Sequence, residues 1–327
     1  MKVYDENAAV ATMNEWGSRR QPFLFVVSYD KQASYLLPLN EISSDQCLYC
    51  FNGYGNDKHP YPVFGQALSW QAEMPLRENY RKSFDMVMQG LLRGDSYLTN
   101  LTCRVPLKTN ASLKDIFFLS HAPYRLWLEG LLVCFSPESF VKISGRTIRS
   151  FPMKGTIDAQ LPHAEEVLMA DEKEAAEHAT IVDLIRNDLS MVAEDVTVAR
   201  YRYVERIDTN KGSILQTSSE ICGTLPAEWQ KNLGGILFSQ LPAGSITGAP
   251  KQKTMEIIAK AEGYERGFYT GVMGIFNGEE VDSAVMIRFV DQAEDGLYFK
   301  AGGGITAQSQ WEKEYEEVIG KIYVPFY

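Results

Sequence analysis

Asn277-Gly278 stands between two strand-like runs, residues 269–276 and 281–289, and this pairing is the firmest architectural signal in the chain. Both residues accept the left-handed backbone that a tight reversal needs, so the two runs are predicted to form an antiparallel hairpin. A third run, 297–300, continues into Ala301-Gly-Gly-Gly-Ile305. Upstream, Leu131-Leu-Val-Cys-Phe135 reads as a buried strand that ends at Ser136-Pro137-Glu138 and leaves a glutamate at the strand end. A helical pattern over 75–94 leads to Gly94, after which β-branched and aromatic residues to Thr102 signal a turn into a strand.

Residues 165–190 lack Gly and Pro and are rich in Ala, Glu and Leu, which predicts one long helix. A second helix is predicted over 250–261, with Pro250 in its first turn and Gly263 just past its end. A third is predicted from Gln310 to about Tyr323, opened by Ser309 and Glu312 as a capping box. Residues 1–70 carry short strand-like runs such as 23–29, broken by Gly53, Gly55, Pro60 and Pro62, and no chemistry is readable there. Strands and helices alternate throughout without repeat or linker, so 1–327 is predicted to be one domain of mixed α and β structure.

With 45% hydrophobic and 23% charged residues, the chain can bury a sizeable core. Its 32 Lys and Arg face 42 Asp and Glu, and the net charge of -10 disfavours nucleic acid or an anionic membrane as partner. An anionic small molecule would need a local positive pocket. Five scattered cysteines suit free thiols in a reducing compartment. Cys47-Leu-Tyr-Cys50 has no second Cys or His pair to complete a zinc site, so two thiols in or beside a strand are expected. The N-terminus has no signal-type apolar stretch and no run approaches membrane-spanning length, so a cytoplasmic location is expected. His59, His121, His163 and His178 form no metal-ligand spacing and no readable triad.

Glu174 and Glu177 lie three residues apart on one predicted helix, and Glu314 and Glu317 repeat the spacing on another, so each pair shares a helical face. Two such helices face to face could hold a hard divalent cation through carboxylates; the alternative is a solvated face with an ordinary Glu317–Lys321 pair. The small-residue loop 241–251 precedes a helix, which suits either an anion or simply a tight turn. Gly302 to Gly304 permits close approach to a ligand or turns a corner. By strand alternation Arg288 shares a face with Met286 and Ala284, and there it needs a carboxylate from the protein or from a ligand. Lys154, in Phe151-Pro-Met-Lys-Gly-Thr-Ile157, is predicted to sit on a loop, held in place or merely solvated.

Taken in order, residues 94–102, Phe135-Ser-Pro-Glu138, 152–156, Ile181-Val-Asp-Leu-Ile-Arg-Asn-Asp188, 242–251, 282–288, 301–305 and 314–321 resemble the chorismate-utilising enzymes. That family includes anthranilate, aminodeoxychorismate, isochorismate and salicylate synthases. The resemblance covers roughly the last two-thirds of the chain. It implies an α+β fold in which two antiparallel β-sheets pack together with helices outside and the site in a cleft, residues 1–70 being a less recognisable part of the same sheet system. It also implies a dependence on magnesium.

Within the family, the lysine of Pro-x-Lys-Gly-Thr is similar to that of the aminating synthases on the route to 4-aminobenzoate and folate. Anthranilate synthases have Ala there, and the isochorismate and salicylate enzymes use water as nucleophile. The resemblance thus implies that Lys154 adds to the chorismate ring as the 4-hydroxyl leaves, and that ammonia then displaces it to give 4-amino-4-deoxychorismate. Glu138 matches the position assigned to protonate the leaving hydroxyl. Glu177 and Glu317 match direct magnesium ligands, with Glu174 and Glu314 beside them. Tyr269, Arg288, Gly303, Gly304 and Lys321 match positions lining the substrate carboxylates, and Thr247 matches one in the adjacent loop. Gln216, in Gln216-Thr-Ser-Ser219, stands where many relatives have histidine; it can hydrogen-bond the substrate but cannot shuttle a proton near neutral pH. No glutaminase region is readable, so ammonia is expected from a separate glutaminase subunit or from free ammonium. Anthranilate or isochorismate formation, and a non-catalytic chorismate-binding role, are the alternatives.

Overall fold

A computed structural model describes residues 1–58, 64–209 and 212–324. His59, Pro60 and Pro62 lie outside the described residues. In chain order the first strands are β1 (Phe23–Val27), β2 (Ser34–Pro38), β3 (Cys47–Phe51), β4 (Tyr54–Gly55), β5 (Trp70–Ala72) and β6 (Leu98–Thr109). They are followed by β7 (Tyr124–Leu128), β8 (Leu132–Ser136), β9 (Ser139–Ser144), β10 (Thr147–Ser150), β11 (Met153–Asp158), β12 (Glu194–Thr209) and β13 (Gly212–Thr224). The last are β14 (Gly248–Ala249), β15 (Val272–Phe276), β16 (Val281–Val285), β17 (Phe289–Ala293) and β18 (Gly296–Ile305). The α-helices are α1 (Glu6–Ser18), α2 (Arg77–Leu92), α3 (Leu113–Leu119), α4 (Ala164–Ala170), α5 (Glu172–Ser190), α6 (Leu233–Ser239), α7 (Lys251–Glu262) and α8 (Trp311–Gly320).

The strands form two antiparallel sheets. One runs β11-β13-β10-β9-β16-β15-β1-β2 with β12 on the free side of β13; the other runs β14-β6-β18-β17-β8-β7-β3-β4 with β5 beside β6. Strand β1 explains the layering. All five of its residues are buried, because Leu24 and Val26 point to the second sheet while Phe23, Phe25 and Val27 point to helices. The space between the sheets is filled by Leu24, Val26, Leu126, Leu132, Met273 and Phe289, among others. On the outer face of the first sheet α1, α5 and α6 bury Met13, Ile181, Ile185 and Leu237; on that of the second, α2, α7 and α8 bury Phe84, Ile257 and Val318. The expected two packed sheets with helices outside are therefore what the chain forms. Cys47 and Cys50 are free and buried on β3, the first in the layer between the sheets and the second in the outer core, so they share no site.

Several local expectations are corrected. The expected single helix over 165–190 breaks at Asp171, whose extended backbone ends α4 and whose side chain accepts the Glu174 N–H at 2.9 Å, so an aspartate cap outweighs the run of helix formers. The expected capping box of α8 is absent: Ser309 Oγ accepts the Thr306 N–H at 3.2 Å, and α8 opens after Gln310 without a side-chain cap. That helix ends at Gly320 rather than near Tyr323. Pro250 precedes α7 in extended conformation instead of lying in its first turn. The hairpin at Asn277-Gly278 forms, with Phe276 opposite Val281, but its second strand stops at Val285 and the chain crosses to the other sheet at Phe289.

Candidate active site

The crossing from β16 to β17 decides where Arg288 sits. It was expected within a strand beside Ala284 and Met286; instead it lies between the two strands with φ +55°, and the Phe135 N–H donates to its carbonyl at 3.0 Å. A left-handed arginine breaks the alternation on which that expectation rested. Its guanidinium stands 5.8 Å from the Tyr323 ring, and among the described residues no carboxylate pairs with it. Tyr269, buried in the turn before β15, packs on Phe289 with ring centroids 5.8 Å apart, and burial pushes its phenol above the usual range.

Lys154 lies on β11, not on a loop, because β11 pairs with β13 and sets Lys154 opposite Thr217. A bulge follows at Gly155, φ +78°, and the Thr217 hydroxyl donates to the Lys154 carbonyl. The side chain reaches the second sheet: a Cβ added to Gly304 would stand 3.5 Å from Lys154 Nζ. The neighbouring glycine receives the end of α8, since a Cβ on Gly303 would be 3.6 Å from both Glu317 Oε1 and Lys321 Nζ and 4.0 Å from Glu314 Oε2. The absence of side chains at 303 and 304 is thus what opens room for these charged groups beside β18. Lys321 also donates to the Gly302 carbonyl at 3.0 Å and to Glu317 at 2.6 Å.

Glu138, half-buried between β8 and β9, accepts the Ser245 hydroxyl on Oε1 at 2.6 Å. Burial raises its proton affinity, against the pull of Ser245, Lys154, Lys321 and Arg288. Thr247, fully buried in the same loop as Ser245, donates its hydroxyl to the Ala243 carbonyl at 2.9 Å. Gln216 sits opposite Thr156, one residue from Thr217, so strand alternation turns it to the other face from the partner of Lys154.

The four glutamates come from α5 and α8, which approach each other with Lys173 between them. Its Nζ lies 3.7 Å from Glu177 Oε1 and 4.0 Å from Glu314 Oε1. Burial, together with Glu177 and Asp171, raises the Glu174 carboxyl, and burial raises that of Glu314 with Glu317 and Glu177 adding to it. Glu317 is held below the usual carboxylate range: burial opposes ionisation, but Lys321, Lys154 and Lys173 outweigh it. Among the described residues no three His, Cys, Asp or Glu side chains are closed around one point as for a bound ion. The donor chemistry nevertheless fits a hard divalent cation, because these are oxygen donors crowded by like charge and partly offset by a lysine.

Further polar residues, not singled out in the sequence, fix the walls. Arg266 and Glu262 form a buried two-point pair at 2.6 and 2.8 Å, and Arg266 also donates to the carbonyls of Ile246 and Asn100. Lys251 pairs with Asp188 at 2.8 Å, tying the loop 241–251 to α5. His178, fully buried on α5, lies 2.6 Å from Ser219 Oγ through Nε2, and burial, Arg202 and Lys154 lower it to about 4, so it is neutral. Only Lys251 and Asp188 carried a signal in the sequence, as ends of resembling segments. No helix of the described residues is long and apolar enough to cross a membrane.

Residues 7–326 match the family described as chorismate binding enzyme, and the chain belongs to that family. It is 46% identical over 330 residues to an uncharacterised PabA-like protein of Pasteurella multocida (strain Pm70), covering 98% of both chains. It is 33% identical to aminodeoxychorismate synthase component 1 of Escherichia coli (strain K12), over 80% of this chain and 60% of that protein. Anthranilate synthase component 1 of Streptomyces coelicolor is 40% identical over 70% of this chain and 47% of its own length. In fold, the menaquinone-specific isochorismate synthase of Escherichia coli superposes with a TM-score of 0.78 at 17% identity, covering 98% of this chain and 82% of that one.

Proposed function

We propose that this protein aminates chorismate at C4, as the aminating subunit of an aminodeoxychorismate synthase, with Lys154 as covalent nucleophile. The observation that carries the reading is the place of Lys154 Nζ, beside Gly304 and in the same charged field as Glu138, Glu174 and Glu317. Nζ, freed of its proton, forms a bond to the ring as the C–O bond breaks, and Glu138 passes a proton to the departing oxygen, which leaves as water. Ammonia then forms the new C–N bond as the old one breaks; the Lys154 nitrogen departs with that electron pair and takes a proton from Glu138 to leave as the neutral amine, and the added nitrogen sheds one that restores the acid. The source of ammonia is a separate glutaminase subunit or free ammonium. Arg288 and Lys321 supply charge for the substrate carboxylates, with Tyr269 and the open backbone of Gly303 and Gly304 shaping the wall and Thr247 at its margin. Glu177 and Glu317, with Glu174 and Glu314 beside them, would hold Mg2+, which when bound anchors a substrate carboxylate.

Anthranilate formation is the second reading, favoured by the identity to the Streptomyces coelicolor protein, and it leaves Lys154 without a covalent role. Incubation with chorismate, Mg2+ and ammonium, followed by a lyase, is expected to yield 4-aminobenzoate; anthranilate or isochorismate as main product refutes the proposal. Lys154→Ala is expected to lower amination by about 1,000-fold or more with Mg2+ binding unchanged, and unaltered amination removes the covalent step.

A further inference from the structure

The loop 241–251 is fixed more firmly than its glycines and small residues suggest. Lys251 donates to the Gln240 carbonyl at 2.8 Å and pairs with Asp188, Arg266 donates to the Ile246 carbonyl at 3.0 Å, and Thr247 closes back on Ala243. Gly244 is pressed against α5, where an added Cβ would stand 2.7 Å from Leu184 and 3.1 Å from Asp188 Oδ2. A loop tied at so many points delivers Ser245 to one place, and its hydroxyl finds Glu138 Oε1 at 2.6 Å. Behind this contact a small chamber is lined by Glu138, Ser245, Asp188, Gln240 and Ser150, so the carboxyl has a protein wall on one side.

We infer that Ser245 is the positioning residue for the acid: by donating to Oε1 it leaves the Glu138 proton on Oε2, from which it passes to the leaving hydroxyl. The inference rests on the reading of Glu138 as proton donor to chorismate. A carboxyl has two oxygens and one proton, and while Ser245 donates to one of them that oxygen is not the site of the O–H. When the Oε2–H bond breaks, the proton joins the departing oxygen, and Ser245 already donates to the carboxylate that forms. The proton shed by Nζ of Lys154 on bonding to the ring restores the acid. The charged groups acting on Glu138 are Lys154 from β11, Lys321 from the end of α8 and Arg288 from the β16–β17 crossing, with the Asp188–Lys251 pair across the chamber.

The sign of the effect is set by the hydrogen bond. Ser245 favours the ionised carboxylate, so its removal raises the pH at which Glu138 ionises, by about one unit for a bond to a charged group. The test uses the full chain as Glu138-carboxyl titration by isotope-edited infrared spectroscopy, without substrate, and as a pH profile of turnover. Ser245→Ala is expected to move the carboxyl titration and the alkaline limb of kcat upward by about one pH unit. It is also expected to lower kcat about tenfold, with KM for chorismate within about twofold, as for a misdirected general acid. Ser245→Thr, which keeps the hydroxyl, is expected to restore all three. An unmoved titration in Ser245→Ala, or no rescue by Ser245→Thr, overturns the inference. Glu138→Gln separates the two levels: full turnover in that variant sinks the reading of Glu138 as acid, whereas an inactive Glu138→Gln beside an unperturbed Ser245→Ala sinks only the role of Ser245.

Discussion

Two clusters in this molecule set glutamates against basic side chains and are finished in opposite ways. In the first, the side chains of Arg266 and Glu262 are 2% and 1% exposed, and every guanidinium donor has an acceptor: Glu262 twice, the Ile246 and Asn100 carbonyls, and Thr270 Oγ1. Glu262 Oε1 also takes the Thr102 N–H and hydroxyl at 2.8 Å each, and the Tyr29 ring lies 4.6 Å from the guanidinium. In the second, Glu177 of α5 and Glu314 and Glu317 of α8 share two lysines at distances from 2.6 to 4.0 Å, with Glu174 beside them. The first cluster is complete within the protein, as a buried ion pair must be to justify its desolvation. The second is left open, and that incompleteness is what a ligand can use.

The largest expected effect tests the closed cluster. Glu262→Gln strands a buried guanidinium, and denaturant unfolding is expected to register a loss of about 3–5 kcal/mol. A loss below about 1 kcal/mol would break the contrast, since the pair would then not be structural. His178 sharpens it from a different side, as a titratable group kept neutral by burial and by the positive charges of Arg202 and Lys154; its Nδ1 has no partner among the described residues. Its folded value of about 4 lies below the ordinary 6.5, so the unfolded chain binds its proton first as pH falls. Stability is therefore expected to drop between pH 6.5 and 4, by up to about 3 kcal/mol from this group, and the drop should be absent in His178→Gln.

The open cluster is expected to respond to metal rather than to folding. Glu177→Gln or Glu317→Gln should change stability in the absence of Mg2+ by less than about 0.5 kcal/mol, as partly solvated pairs do. Calorimetric titration of the same variants should give Mg2+ binding weaker by about 100-fold. If these variants instead unfold readily and bind the metal unchanged, the two clusters would have exchanged roles. The smallest effect is at the surface, where Arg19 and Glu15 pair at 3.0 Å while 68% and 54% exposed. Glu15→Gln is expected to shift thermal unfolding within about 0.5 kcal/mol of the parent.

Local pattern by itself determined the hairpin at Asn277-Gly278, the buried strand β8 with Glu138 beyond it, the helix of Glu174 and Glu177, and the order of motifs that marks the family. These are legible because apolar periodicity and turn chemistry act over a few residues. Where two local rules competed, the pattern misled: Asp171 broke a run of helix formers, and the strand that alternation would have continued stopped at Val285, ahead of a left-handed Arg288. Tertiary structure alone decided that Lys154 meets Gly304, that Lys173 stands between Glu177 and Glu314, and that Ser245 meets Glu138 across 107 positions of sequence. Such meetings depend on strand register and on how sheets and helices stack, and no short stretch of chain encodes either.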